Sequence, residues 1–262
     1  MPLQIIHTCD LHGRLNAPLV SQLQSLRSIC PGSLLLDCGD ALGIGNLNPG
    51  CGAGHTLATM TALSYSAMAM GNRETHLWWP MIRRKLAGAD FPVLSANLRG
   101  AAEPQGASHD SDRVPGRCHI QRWAFFEPFS GFRVAVFGLT PAMVRPRMPV
   151  SRIASIVFDD PLQAGIDAAQ ALTPRSDLLI CLSHLGTRFD HELARAAPAI
   201  HVILGGHDHS PGLPTGEWVG CTLLARSDPH GASCGEVWIE LGQLAKRGTR
   251  RWAHALLHKA AD

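Results

Sequence analysis

A chain of 262 residues, 45% of them apolar, lies near the upper limit for one hydrophobic core, so a single large domain over 1–262 is expected. The formal net charge is only +2 and the Lys and Arg residues are spread along the chain, which leaves no basic stripe to track a nucleic-acid backbone and excludes a nucleic acid polymer as the expected partner. No uninterrupted apolar run approaches the roughly 20 residues of a membrane span.

The opening segment, MPLQIIHTCDLHG, reaches Asp10 and His12 before a basic stretch followed by an apolar one can fit. No signal peptide is therefore expected, and the expected compartment is the cytoplasm. Cys9, Cys30, Cys38, Cys51, Cys118, Cys181, Cys221 and Cys234 show neither CxxC spacing nor the density of a small disulfide scaffold, which reads as reduced thiols. The strand-length runs LQIIHT, SLLLDC and AMAMG alternate with helix-length segments near Leu15 to Ile29 and His55 to Ser66, an order that predicts parallel βαβ units. A helix is predicted from near His76 to Gly88, ahead of FPVLSAN, and a loop rich in Gly, Ala, Ser and Pro from Arg99 to Gly116.

HIQRWAFFEPF and FRVAVFGLT flank Ser130-Gly131 and predict a hairpin running into a buried strand. DDPLQAGIDAAQAL reads as a helix with acids at its positive end, and DLLICLSH and HVILGGHDH read as strands bracketing a helix near His191 to Ala197. CTLLARS, GEVWIEL and WAHALLH suggest further antiparallel strands, the last equally compatible with a helix. The class is α/β with two sheets.

Residues able to bind metal stand where the apolar runs stop: Asp10 and His12, Asp40, Asn72, His184, and His207 with His209. Strand ends in α/β sheets line a common crevice, so five segments spread over two hundred residues can converge. In DLH and HDH, residues two apart in extended backbone point the same way. Gly39, Gly71, Gly205 and Gly206 would permit close backbone approach there. Any one of these histidines alone reads as hydrogen-bonded structure; five matching pieces in order do not.

HTCDLHGRL, LLLDCGDALG, AMAMGNRETH, ICLSHLG and VILGGHDH resemble the motifs of the calcineurin-like metallophosphoesterases, nearest the catalytic domain of the 5'-nucleotidase and cyclic-nucleotide phosphodiesterase family. FPVLSANL, RVAVFGLTPA and GEVWIEL also fall where that family has similar segments, so the resemblance covers nearly the whole chain. It implies a four-layer αββα sandwich of two mixed sheets. It also implies two divalent metal ions, one held by Asp10, His12, Asp40 and His209 and the other by Asp40, Asn72, His184 and His207, with Asp40 bridging. Nitrogen and oxygen ligands without thiolate suit manganese, iron, zinc, nickel or cobalt without choosing among them, and manganese is the first expectation. The reaction implied is in-line attack on phosphorus by a metal-bound hydroxide, cleaving a small phosphate ester, phosphodiester or pyrophosphate such as a nucleotide or a nucleotide-linked diphosphate. Cys9, beside Asp10, reads as a packed thiol rather than a nucleophile.

Two departures stand out. Where the family has Gly-Asn-His-Glu this chain has Gly71-Asn72-Arg73-Glu74, and the aspartate that orients the family histidine is replaced by His76. Arg73 stays protonated and offers charge and hydrogen bonds without cycling as a general acid, so His76 is the substitute acid to test. No nucleotide-binding C-terminal domain of the kind usual in the 5'-nucleotidases is expected, which moves expected substrate contact onto loops: Arg145 and Arg147 after GLTPA for phosphate, Trp78 and Trp79 for packing. The alternatives to an active phosphohydrolase are a binding protein that kept the fold and lost catalysis, and a thiosulfohydrolase-like enzyme acting at sulfur. Retention of all seven ligands opposes the first, and the cytoplasmic expectation opposes the second.

Overall fold

The computed structural model describes residues 2–30, 32–49, 54–102, 120–244 and 252–260. Cys51, Cys118 and most of the loop expected to end at Gly116 lie outside the described residues. Among the described residues the other six cysteines are free thiols, and no helix is long and apolar enough to cross a membrane.

One sheet has the spatial order β15 (Ala253–Lys259), β14 (Ser233–Glu240), β1 (Pro2–Thr8), β2 (Leu34–Asp37), β3 (Ala67–Ala69), β4 (Val93–Leu94) and β6 (Ile120–Gln121). The second runs β12 (Glu217–Val219), β13 (Thr222–Ala225), β11 (Val202–Gly205), β10 (Leu178–Ser183), β8 (Phe132–Leu139) and β7 (Trp123–Phe129). A two-stranded ribbon of β5 (Leu98–Gly100) and β9 (Ile156–Phe158) is a third sheet that the sequence did not announce.

Strand alternation builds the layers. Ile6 and Leu35 pack into a core under α1 (Ala17–Ile29), α2 (Gly54–Ala62) and α3 (Trp79–Lys85), while their neighbours Ile5 and Leu36 face a core between the sheets. On β10, Ile180 joins that middle core, and Cys181 packs outward among Ala168 of α4 (Pro161–Leu172) and Leu193 of α5 (Thr187–Ala196). The result is helices, sheet, sheet, helices. Helix starts follow from local chemistry. Asn16 caps α1 by accepting from Leu19 N at 2.9 Å, and Asp160 caps α4 by accepting from Gln163 N at 2.9 Å.

Two expectations need correction and one alternative is resolved. The helix expected from His76 begins at Trp79, because Pro80 suits only the first turn of a helix. CTLLARS is β13, antiparallel to β12 but parallel to β11, which extends the parallel part of its sheet. WAHALLH, which the sequence leaves open between strand and helix, is strand from Ala253 on and antiparallel to β14, the first of those two readings.

Candidate metal centre

β1, β2 and β3 run parallel in one sheet, and β10 and β11 in the other, so their carboxyl ends open on one rim. The crossings there are stitched by backbone: Asp10 N donates to Gly39 O at 3.0 Å, His12 N to Asp40 O at 2.9 Å, and Gly206 N to Ser183 O at 3.0 Å. His207 N donates to the Asp10 carboxylate at 2.9 Å and ties the two sheets together.

The structure brings all seven residues into one cluster. His12 and His209 direct their Nε2 atoms to within 2.9 Å of each other, 3.9 and 3.6 Å from Asp10 Oδ1. His184 Nε2 lies 3.2 Å from Asn72 Oδ1 and 3.3 Å from Asp40 Oδ1, and its ring centroid is 4.9 Å from that of His207. Asp40 reaches both halves, since its Oδ2 is 3.9 Å from His12 Nε2. Asp10 also belongs to both, grouping with His12 and His209 on one side and with Asp40 and His184 on the other.

Convergence is not achieved by extended backbone, as the DLH and HDH spacing suggested. Asp10, His12, Asp40, His207 and His209 have φ of 48°, 47°, 55°, 88° and 52°, so five of the seven occupy the left-handed region that non-glycine residues rarely enter. Such outliers cluster at functional sites. The neighbouring glycines act as expected: a Cβ on Gly71 would overlap the Asp40 backbone and carboxylate, and one on Gly206 would stand 2.9 Å from Asp10 Oδ2.

The donors fit divalent cations. Asp10 Oδ1 is buried with no hydrogen-bond partner, although it faces two imidazoles. Burial pushes His12 down to about 4 and also lowers His207, keeping both neutral as ligands must be. His184 is fully buried, which opposes its charging, yet Asp40, Asp10 and Glu74 hold it up at about 9; the positive charge they favour there is one a metal ion would supply in the proton's place. His184 Nδ1 lies 2.8 Å from Cys38 O, the contact that fixes a ring so that Nε2 faces the ligand position. Beside His12 opens a cavity of about 330 Å³, lined by Gly13, Gly43, Ile44, His55 and Thr56 among others.

Arg73 lies against this cluster, its backbone N–H donating to Asp40 Oδ1 at 2.7 Å and its Nε 3.8 Å from Asp40 Oδ2. His76 occupies a tight turn instead: its Nδ1 accepts from Trp78 N at 3.2 Å, its ring packs on Trp78 at 5.3 Å, and burial, then Lys85, lowers its pKa. Arg145 and Arg147 are exposed on the loop after β8, Trp79 is core, and Trp78 is exposed. Cys9 is buried, donates to Ser227 O at 3.2 Å, and has its pKa raised by burial and then by Asp10, as a packed thiol should.

Sequence reasoning missed four supports. The buried Glu74 carboxylate accepts from Asp40 N at 3.0 Å, Leu42 N at 3.1 Å and Gly71 N at 2.9 Å; burial, with Asp40 next, raises its pKa to about 7. Lys85 is fully buried, and its ammonium donates to Gly45 O, Asn46 O, Arg73 O and Thr75 O at 2.7 to 3.1 Å. Arg226 joins buried Asp190 at 3.3 Å to Asp208 at 3.8 Å, anchoring the HDH loop. His230, with φ of 62°, donates its N–H to Asp10 O at 2.8 Å and lies 5.0 Å by ring centroid from both His12 and His209. Glu74 was legible as the end of Gly-Asn-Arg-Glu; His230 follows no apolar run and carried no signal.

No protein-family model matches the chain. It is 27% identical over 232 residues to the trifunctional nucleotide phosphoesterase protein YfkN of Bacillus subtilis, covering 79% of this chain and 16% of that one. It is 27% identical over 241 residues to a 5'-nucleotidase of Vibrio cholerae, covering 80% and 40%. The chain thus spans well under half the length of these relatives. A 5'-nucleotidase precursor from Thermus thermophilus superimposes with a TM-score of 0.71 at 25% identity, covering 91% of this chain and 51% of that one. The solved calcineurin-like phosphoesterase YfkN superimposes with a TM-score of 0.72 at 16% identity, covering 99% and 91%. By sequence and by architecture, this chain is a homologue of the 5'-nucleotidases and of the calcineurin-like phosphoesterase YfkN, built on the metallophosphoesterase fold.

Proposed function

We propose that the chain is a phosphohydrolase dependent on two divalent metal ions, manganese first among them, acting on a small phosphate ester, phosphodiester or pyrophosphate such as a nucleotide or a nucleotide-linked diphosphate. The observation that carries this reading is the meeting of Asp10, His12, Asp40, Asn72, His184, His207 and His209 around a buried, partnerless Asp10 oxygen. Asp10, His12, Asp40 and His209 would hold one ion and Asp40, Asn72, His184 and His207 the other. When bound, two such ions supply a positive field for the phosphoryl oxygens and activate water for attack on phosphorus.

The chain's own residues supply the rest. Glu74 holds the Asp40 and Gly71 backbones, and through them the carboxylate shared by the two halves. Arg73, more than a third exposed beside Asp40, presents a permanent cation at the edge of the cluster and binds a phosphate oxygen. Hydrolysis breaks one P–O bond, with water supplying the oxygen gained by phosphorus and the proton that ends on the leaving group. Elemental analysis after manganese loading, together with hydrolysis of a panel of nucleotides, cyclic nucleotides and sugar diphosphates, is the test. Two ions per chain with Asp40→Asn binding fewer and turning over orders of magnitude more slowly is expected; a stoichiometry of one or below, unchanged in Asp40→Ala, overturns the reading.

A further inference from the structure

Five of the eight large apolar side chains exposed among the described residues lie on three loops that touch: Leu47, Trp78, Met143, Met148 and Ile153, each between 37% and 68% exposed. Trp78 Nε1 donates to Ile153 O at 3.0 Å, and Ser155 N donates to Leu77 O at 2.8 Å, which joins the Trp78 turn to the loop after β8. A small core of Val144, Ala154 and Val157 with Leu77 and Val150 also joins the Trp78 turn to that loop. Exposed apolar side chains gathered on adjoining loops mark a binding surface more often than ones scattered singly.

The patch adjoins the candidate metal centre. Asn72 Nδ2 donates to Asn46 Oδ1 at 3.3 Å, Arg73 Nη1 reaches Ile44 O at 3.4 Å, and the next residue of that loop, Leu47, meets His76 through its backbone. Its charge is one-sided: the segment 141–155 carries Arg145, Arg147 and Arg152, all exposed, and no Asp or Glu. An apolar surface fringed by cations beside a phosphate-cleaving centre matches a molecule that joins a phosphate to a hydrocarbon. Its composition selects among hydrocarbons. A nucleobase is gripped by stacked aromatic faces, whereas here Trp78 is the one aromatic ring and His76 packs against it, and the rest are Leu, Met and Ile.

We propose that this rim binds an aliphatic chain carried by the substrate, so that the chain hydrolyses amphiphilic phosphodiesters or pyrophosphates; this rests on the phosphohydrolase reading above. The test uses p-nitrophenyl phosphodiesters whose second ester is methyl, butyl or octyl, below their micelle concentrations, with the manganese-loaded protein. Burial of methylenes on the rim raises kcat/KM by roughly fourfold for each one buried, through KM. Leu47→Ser with Ile153→Ser, two exposed positions, should flatten the series while leaving the methyl ester unchanged. A flat wild-type series with the methyl ester hydrolysed overturns the proposal and leaves the hydrolase reading standing, as does an equal loss on every ester in the variant. Calorimetric binding of octyl phosphate against inorganic phosphate separates the two readings: tighter octyl phosphate binding without hydrolysis of any ester supports the rim and overturns the hydrolase. Co-sedimentation with phosphatidylglycerol vesicles alongside a flat soluble series would make the rim a membrane contact and also overturn the proposal.

Discussion

At the residue scale, the side chain with the widest reach is the one that is absent at Gly71. A methyl group there overlaps the backbone and carboxylate of Asp40, the residue shared by both halves of the cluster. Gly71→Ala should cost about 1–3 kcal/mol of stability by overpacking and weaken both metal positions together, seen as a lower metal stoichiometry in a protein that still unfolds cooperatively. Arg73 makes a different prediction. General acid catalysis contributes about a hundredfold to ten-thousandfold and matters most for strongly basic leaving groups. With Arg73 in that place, kcat/KM should depend steeply on leaving-group pKa, favouring pyrophosphates and aryl phosphodiesters over nucleoside 5'-monophosphates, and Arg73→His should make the dependence shallower. His7 sets an acid limit. It is fully buried against Gly235, and burial, then Arg226, depresses it to about 3. The unfolded chain takes up a proton near 6.5 that the folded chain refuses until about 3, so stability is lost as pH falls through that window, by at most about 1.4 kcal/mol per pH unit. His7→Asn should make the slope shallower by that amount in denaturation curves recorded from pH 7 to 4, leaving the share that His12 contributes.

At the scale of elements, Lys85 at the end of α3 does work that no carboxylate shares. Its ammonium holds four carbonyls, two from the loop that carries Gly45 and Asn46 and two from the turn that carries Arg73 and Thr75. Burial pushes its pKa down to about 8, against the pull of Glu74 and Asp40. Lys85→Met would leave the buried Thr75 carbonyl and three part-buried ones without their donor, at a cost of about 1–3 kcal/mol, read as a lower Tm and a higher KM. Arg is no remedy, because a planar fork cannot place one nitrogen among four converging oxygens. Much of the element order was legible in the sequence. Alternation of strand- and helix-length runs and the capping residues Asn16 and Asp160 are local signals, and local signals survive without tertiary information. Lys85 was not legible, because a basic residue in the last turn of a short helix reads as a solvated end; only the fold shows it sealed under two loops. Parallel pairing of β13 was hidden for the same reason, since pairing partners are not written in a strand.

For the whole molecule, the site is a seam. Its seven clustered side chains come from both sheets, and the contact of His207 N with Asp10 crosses between them. Metal loading should therefore stabilise the entire domain rather than a loop, raising Tm as free manganese exceeds its Kd by about 2.7 kcal/mol of added stability at a hundredfold excess, with EDTA reversing the gain. Separate melting of one sheet on chelation would contradict this. The strand ends in the sequence showed which residues would gather, because apolar runs terminated by Asp, Asn or His recur five times. They did not show how, because the spacing of DLH and HDH suggested extended backbone where the chain in fact turns left-handed at Asp10, His12, His207 and His209.

Those turns bear on selection. A residue held in the left-handed region costs of order 1–3 kcal/mol, and replacing it with glycine returns that, less about 1 kcal/mol of chain entropy. Asp10, His12, Asp40, His207, His209 and His230 all stand in that conformation around one point, so glycine at any of them is a mutation that relieves strain. The chain nonetheless carries a carboxylate or an imidazole at all six positions. His209→Gly, at the exposed edge of the cluster, should accordingly melt higher than the parent when both are stripped of metal, and lower when both are saturated with it.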